Sequence, residues 1–434
     1  MSLPASREFA VEVVQRLVDA GYEALWAGGC VRDFLMGNEP SDFDVATSAR
    51  PEEVRAVFGK RRTLAIGESF GVIVVLGPDR TAGQVEVATF RTDSSYSDGR
   101  RPDTVTFSTA REDARRRDFT INGMFYDPLR EQLIDYVGGR IDLEYRILRA
   151  IGDPEERIEE DKLRMLRAIR FAAKFDFNLD QRTAEAIRKL ASEIRVVSQE
   201  RITEELRKML AHASRAKGIR MLDEAGLLPL VLPDLEEPWS DPDYAEQSLR
   251  MLASEHDGSC VLSLAILFRQ LPTEADISGI PAASKKQQLR ASPVVQLGKR
   301  LRLSNREIET IRWLVDKVPL LLRGRQLPLH QLKGLLAHEH RDMLLEMARL
   351  LTLGQGAEAR EHFAYCQEYL SRTPAETLNP PPLLNGADLI ALGLKPGHEF
   401  SQLLEQVRHA QLDEQISQRQ QAIEWINKHR NEQT

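Results

Sequence analysis

The apolar positions follow two regimes along the chain. Up to about residue 140 they come in short runs: Leu25-Trp26-Ala27, Phe43 to Thr47, Thr63 to Ile66, Val72 to Leu76, Val85 to Phe90 and Leu133 to Val137. These runs carry Val, Ile and Phe and are set apart by Gly, Pro or Asp, a pattern that predicts β-strands. Helical stretches lie among them. One is the amphipathic segment Phe9-Ala10-Val11-Glu12-Val13-Val14, and another follows Gly28-Gly29 through Leu35. A third opens at Pro51 with Glu52 and Glu53, residues suited to a first helical turn, and runs to Phe58. Beyond about residue 145 the strand signals fade, and Leu, Arg, Glu and Ala at helical spacing dominate to the C-terminus. Ser304-Asn305-Arg306-Glu307 spells a capping box, and Asn379-Pro380-Pro381-Pro382 breaks the chain before a last helical module. The expected fold class is α+β: an N-terminal head with a small mixed β-sheet and helices, followed by an elongated all-α part. The head is expected over 1–145 and three helical segments over 146–210, 211–325 and 326–434.

Composition narrows the classes. With 434 residues, 42% of them hydrophobic and 29% charged, the chain reads as a multidomain globular protein. Three widely spaced cysteines, Cys30, Cys260 and Cys366, fit neither a disulfide framework nor a zinc site and point to a reducing compartment. The N-terminus lacks the spelling of a secretory leader, and no apolar run is long enough to span a bilayer, so a cytoplasmic location without membrane contact is expected. The net charge of −7 argues mildly against a nucleic-acid partner. Local clusters offset it: Arg115-Arg116-Arg117, Arg164/Arg167/Arg170 and the stretch from Lys285 to Arg325. A local patch is all that phosphate contact needs, although a solvated face has the same spelling.

Ser41-Asp42-Phe43-Asp44-Val45 is the first chemical signal. Residues two apart on a strand share a face, so Asp42 and Asp44 are expected to project together while Phe43 and Val45 point into the core. At about 5 Å and an effective dielectric of about 20, two carboxylates repel by roughly 3 kcal/mol, which favours a cation between them. Oxygen ligands with room for water and phosphate suit Mg²⁺. Glycosyltransferases and phosphohydrolases share this spelling. Glu86, opposite Val85 and Val87 on its strand, is either a third convergent carboxylate or a solvent-facing one. Upstream, Gly28 and Gly29 stand where a strand turns into a helix, leaving room for phosphate oxygens, with Arg32 one turn in as a fork of donors.

Together these blocks resemble a known family. Gly28-Gly29-Cys30-Val31-Arg32-Asp33 followed by Ser41-Asp42-Phe43-Asp44 is similar to the opening motif of the class II tRNA nucleotidyltransferase and bacterial poly(A) polymerase superfamily. Arg116-Arg117-Asp118-Phe119-Thr120-Ile121-Asn122-Gly123 resembles its second motif, which contacts the ribose and phosphates of the incoming nucleotide. Arg149 to Pro154 resembles the hinge motif, Glu160 to Phe171 the nucleotide-selecting motif, and Ser198 to Leu206 the helix that buttresses it. The blocks keep the family's order over roughly residues 20 to 210.

The resemblance implies magnesium-dependent, template-independent addition of nucleotides to an RNA 3′ end, with CTP and ATP as substrates and the tRNA acceptor arm as partner. Asp42, Asp44 and Glu86 become the catalytic carboxylates, with metal on Asp42 and Asp44. Gly28, Gly29, Arg32, Arg117, Asp118, Asn122, Asp161, Arg164, Arg167 and Arg170 become nucleotide-binding residues. The segment 146–210 becomes a base-selecting neck, and the later helices a body and an RNA-binding tail. Cytosine and adenine both present an amino donor beside a ring-nitrogen acceptor, which an acid next to an arginine complements. Asp161 and Arg164, expected three apart on one helix, are that pair. Arg167 and Arg170 are expected to contact phosphate or to brace the helix. The loop around Tyr96 to Pro102 resembles the element needed for A addition, which favours full CCA addition over CC alone. A-only addition and poly(A) synthesis are the rivals.

Overall fold

The computed structural model describes residues 5–67, 71–93, 105–272, 292–354, 356–394 and 397–431. The chain divides into two compact units, Met1–Pro233 and Asp234–Thr434. The first unit begins with α1 (Ala5–Asp19), β1 (Ala24–Ala27), α2 (Gly29–Leu35), β2 (Asp44–Thr47), α3 (Pro51–Phe58), β3 (Thr63–Gly67), β4 (Val72–Leu76) and β5 (Gln84–Thr89). It continues through the ribbon β6 (Arg91–Asp93) and β7 (Val105–Phe107) to α4 (Ala110–Arg116), β8 (Phe125–Asp127), β9 (Gln132–Ile134) and α5 (Gly139–Glu144). The main sheet has the order β3-β4-β5-β2-β1-β8-β9, with β2 and β5 parallel and the other neighbours antiparallel.

Both faces of the central strands are covered, so β1 reads as an unbroken apolar run rather than an alternation. Ala24 and Trp26 join the core that α1 seals with Phe9, Ala10, Val13, Val14 and Leu17. Leu25 and Ala27 belong to a second core with Ala46, Phe90, Ala110, Ala114 and Phe125, which places α4 over the other face. Val45 of β2 and Val85 and Val87 of β5 lie in the α1 core. Period-2 alternation therefore turns Asp44 and Glu86 to the α4 face.

Two predicted strands have different bounds from those expected, one at its start and one at its end. The run from Phe43 becomes a strand only at Asp44, with Ser41 and Asp42 in a bend. The run from Leu133 stops at Ile134, because the Asp135 carboxylate accepts hydrogen bonds from the backbone N–H groups of Val137, Gly138, Gly139 and Arg140 and turns the chain into α5.

Helices complete the first unit: α6 (Pro154–Glu160), α7 (Arg164–Phe175), α8 (Gln181–Leu190), α9 (Gln199–Leu210) and α10 (Arg215–Glu224). Asp153 caps α6 through the N–H groups of Glu155 and Glu156, with Pro154 at its first position. On α7, Met165, Leu166, Ala168, Ile169, Ala172 and Ala173 are buried, leaving Arg164, Arg167 and Arg170 on the polar stripe. Burying Leu166 or Ile169 in full contributes about 1.5–3 kcal/mol each. Helix α10 approaches α9 closely at Gly218, where an added Cβ would lie 2.6 Å from Met209 Cγ.

The second unit is helical throughout its described residues. Cys260–Phe268 is buried from Leu262 to Phe268 and packs against Asn305–Leu321. The latter opens with the expected capping box, Ser304 exchanging hydrogen bonds with Glu307. Beyond the proline run, Leu384, Leu389, Val407, Ala410, Ile416, Ala422 and Ile426 form a separate core. All three cysteines are free. No helix among the described residues is long and apolar enough to cross a membrane.

Candidate active site

The parallel register of β2 and β5 sets Asp44 directly beside Glu86. Their Cα atoms are one strand spacing apart, about 4.8 Å. Burial, the charge of Glu86 and the charge of Asp42 push the Asp44 carboxyl up to about 6, with Arg117 pulling the other way. Glu86 and Asp42 thus both act on Asp44, although Asp42 does so from the bend and not as a strand neighbour; its Oδ2 accepts a hydrogen bond from Ser41 Oγ at 3.0 Å. Among the described residues no three acidic, His or Cys side chains gather closely enough to form a complete metal cage. Magnesium does not need one. It takes one or two protein carboxylates and fills its remaining positions with water and phosphate oxygens. A pair of adjacent carboxylates that resists double ionisation suits such an ion.

An open cavity of about 610 Å³ lies against Asp44. Its lining brings together Gly28, Gly29, Arg32, Arg117, Asp118, Asn122, Asp161, Arg164, Arg167 and Arg170, and adds Arg116, Phe171 and Lys208. Seven basic side chains face three acidic ones there. Every nucleotide-binding residue expected from the sequence lines this one cavity. Glu86 and Asp42 do not.

Hydrogen bonds hold the basic wall. Buried Asp113 accepts from Arg116 Nε at 2.9 Å and from Arg117 Nη2 at 2.9 Å. Burial raises its pKa, and Arg117 and Arg116 outweigh that and hold it below the ordinary carboxylate value. Gly28 has φ +72°, and a Cβ there would come within 2.9 Å of Arg117 Nη1, so its missing side chain first of all makes room for that guanidinium. Arg32 donates to Asn122 Oδ1 at 2.6 Å, pairs with Asp33, and lies over the Phe175 ring at 4.3 Å. Asp118 accepts two bonds from Arg167, at 3.0 and 2.6 Å, and one from Asn122 Nδ2. Burial alone would raise the Asp118 pKa; the Arg167 guanidinium reverses the shift to below the ordinary value. Arg170 is tied to Glu205 of α9 at 2.5 Å, so it braces the two helices while still facing the cavity.

Asp161 and Arg164 do not share a helix. Asp161 ends α6 in extended backbone, φ −149° and ψ 104°, and α7 starts at Arg164. The break is local chemistry: Asp161 Oδ1 accepts the Leu163 N–H at 3.1 Å and turns the chain. Asp161 then pairs with Arg201 of α9 through both oxygens, at 3.1 and 2.7 Å. Arg164 pairs with Glu160 at 2.5 Å and donates to the Arg157 carbonyl. The two side chains meet at the cavity by different routes, each with its own ionic partner.

Comparison with known proteins bears on this arrangement. The model of the Poly A polymerase head domain matches residues 24–149. The model described as the probable RNA and SrmB-binding site of polymerase A matches residues 176–237. Over 408 residues the chain is 32% identical to the CCA-adding enzyme of Levilactobacillus brevis, an alignment covering 93% of this chain and 92% of that one. The chain belongs to the CCA-adding enzyme family. The CCA-adding enzyme of Limosilactobacillus reuteri is 43% identical over 228 residues, 52% of this chain and 55% of the relative, so the chain spans about half the length of that enzyme. The crystal structure of the Bacillus stearothermophilus CCA-adding enzyme in complex with CTP has a TM-score of 0.74 at 26% identity, covering 100% of this chain and 99% of the other.

Members of the CCA-adding enzyme family are nucleotidyltransferases. The segment between the two matched models, 150–175, holds Asp161, Arg164, Arg167 and Arg170. Sequence reasoning missed Asp113 and Arg201. Asp113 stands three and four residues before Arg116 and Arg117, a helical pairing visible in the sequence. Nothing local marks Arg201 as the partner of Asp161, 40 residues away. The loop Tyr96 to Pro102 and the basic residues Lys285, Lys286 and Arg290 lie outside the described residues. Arg300, from the same basic stretch, is paired with Asp234. His338 and His340 sit in the turn before Arg341–Thr352 and both meet Trp313, His338 stacked on its ring at 3.9 Å.

Proposed function

We propose that this protein adds CCA to the 3′ end of tRNA, without a nucleic-acid template, from CTP and ATP in a magnesium-dependent reaction that releases pyrophosphate. The observation carrying this reading is the pairing of Asp44 with Glu86 beside a cavity lined by six arginines and Asp161. In the reaction the RNA 3′-oxygen forms a bond to the α-phosphorus, the bond to the β-phosphate oxygen breaks, and the hydroxyl proton leaves to solvent through the open cavity. Asp42 and Asp44 would hold magnesium with Glu86 beside them, and the ion, when bound, supplies a more acidic attacking hydroxyl and neutralises the leaving group.

The chain's own side chains do the rest. Arg32 and Arg117, fixed by Asn122 and Asp113, are preorganised donors for the triphosphate. Asp118 and Asn122 face the sugar. Asp161 accepts from the exocyclic amine of cytosine or adenine, and Arg164 donates to the ring nitrogen beside it. Uracil and guanine present the inverted pattern and leave both groups unsatisfied. Two ionic partners, Arg201 and Glu160, keep those side chains at a fixed angle. The helices after residue 210 are read as the surface for the tRNA acceptor arm, and the expected location is the cytoplasm.

The test is Asp42→Ala. Nucleotide transfer disappears while tRNA binding persists in a gel-shift assay. Retained transfer overturns the reading, and a circular-dichroism spectrum of the variant separates chemistry from unfolding.

A further inference from the structure

A group of cations extends past the cavity along α7 and α9. Lys208 lines the cavity from α9, and one turn after Arg170 on α7 stands Lys174, its ammonium 5.2 Å from the centre of the Phe175 ring over which Arg32 also lies. The Arg170–Glu205 pair links the two helices one turn earlier. Among the described residues no carboxylate forms an ion pair with Lys174. Asp33 acts on it from a distance and is itself paired with Arg32. Lys208 holds only Glu204, an exposed i,i+4 contact that a stronger anion can displace. The potential here is positive in excess. Lys174 is shifted toward its neutral form by burial and then by Arg32 and Arg170, and nearby His212 by burial and then by Lys174 and Arg215.

We propose that Lys174 and Lys208 form a track for the phosphates of the single-stranded RNA 3′ end as it enters the cavity; this rests on the nucleotidyltransfer reading of the same site. The argument is one of residue type. The arginines inside the cavity are held by Asn122, Asp113 and Asp118, as fixed forks suited to a triphosphate bound in one pose. A primer that moves by one nucleotide after each addition is better served by exposed point charges on flexible stems. Lys174 and Lys208 have that character, and they stand on facing helices next to the wall.

The experiment compares the full-length protein with the double variant Lys174→Gln/Lys208→Gln. Binding of a 5′-labelled tRNA transcript is followed by fluorescence anisotropy between 50 and 300 mM salt, alongside steady-state transfer. The track predicts that RNA affinity falls, by up to about fivefold per lysine. It also predicts that the slope of log affinity against log salt becomes shallower by about 0.7 per lost single-strand contact. The KM for CTP and ATP changes by less than the RNA affinity does. A raised KM for nucleotide with unchanged RNA binding assigns the lysines to the triphosphate and overturns the proposal, as does no change in either quantity. Binding is read without catalysis, so failure of the wild type to transfer nucleotide counts against the proposed function and not against the track. Lys174→Arg/Lys208→Arg, which keeps the charges, should restore the salt slope.

Discussion

Asp44 and Glu86 are paired residue for residue on adjacent parallel strands, with their side chains on the face covered by α4. The arrangement raises the Asp44 pKa to about 6 from an ordinary 3.8. An acid whose folded pKa is raised favours the folded state while protonated. That contribution is complete below about 3.8 and is lost as the pH rises through about 6. Asp44→Asn should therefore abolish transfer without weakening the fold. Above pH 6 the variant should match or slightly exceed the wild type in thermal stability, by no more than about 1 kcal/mol because the carboxylate opens to solvent. Below pH 4 the difference should vanish. Thermal melts across pH check this, and marked destabilisation at pH 8 contradicts it.

The same shift sets an activity limb. A carboxylate must lose its proton to bind a cation, so the rate should fall with a midpoint near 6 at limiting magnesium. Raising magnesium should move that midpoint to lower pH. A midpoint independent of magnesium would separate Asp44 from metal binding.

The double hydrogen bond between Arg201 and Asp161 makes Arg201 a positioning residue for base selection. Arg201→Met should lower kcat/KM for CTP and ATP by about tenfold to a hundredfold, the scale of a small misplacement. Discrimination against UTP and GTP should narrow, and RNA affinity should hold. Arg201→Lys should recover only part, because an ammonium cannot reproduce the two-pronged contact. Wild-type selectivity in Arg201→Met would remove Arg201 from the account.

Asp118 is almost enclosed and holds Arg167. Its folded pKa is depressed, so the pair's contribution is present above about 3.8 and lost as the pH falls through the lower folded value. Asp118→Asn leaves Arg167 only its longer contact with Glu205, at 3.8 Å, and should cost about 2–4 kcal/mol at pH 7, below a fully buried pair because Arg167 is one-third exposed and keeps that second carboxylate. Urea denaturation at pH 7 and pH 3 should show a smaller difference between variant and wild type at pH 3 than at pH 7.

Much of the head was legible because its signals are local. Val72–Leu76 and Pro51–Phe58 run as their composition predicts, and the alternation around Glu86 placed it on the face opposite Val85 and Val87. What failed needed long-range or sub-helical information. Asp42 falls in a bend because the strand starts two residues later, and helical spacing misjudged Asp161 and Arg164 because the Asp161 side chain ends the helix itself. Arg201, the partner of Asp161, is brought there by the packing of α7 on α9, which no spacing in the sequence encodes.

The central claim is tested most directly with tRNA transcripts ending at the discriminator base, at C or at CC. Each is incubated with magnesium and CTP, ATP or both, and products are resolved to the nucleotide on a gel. Convergence of all three on CCA, followed by a stop, is the predicted result. Extension of the CC-ended transcript alone, by a single A, contradicts full CCA addition, and long ladders from ATP alone contradict it in favour of poly(A) synthesis.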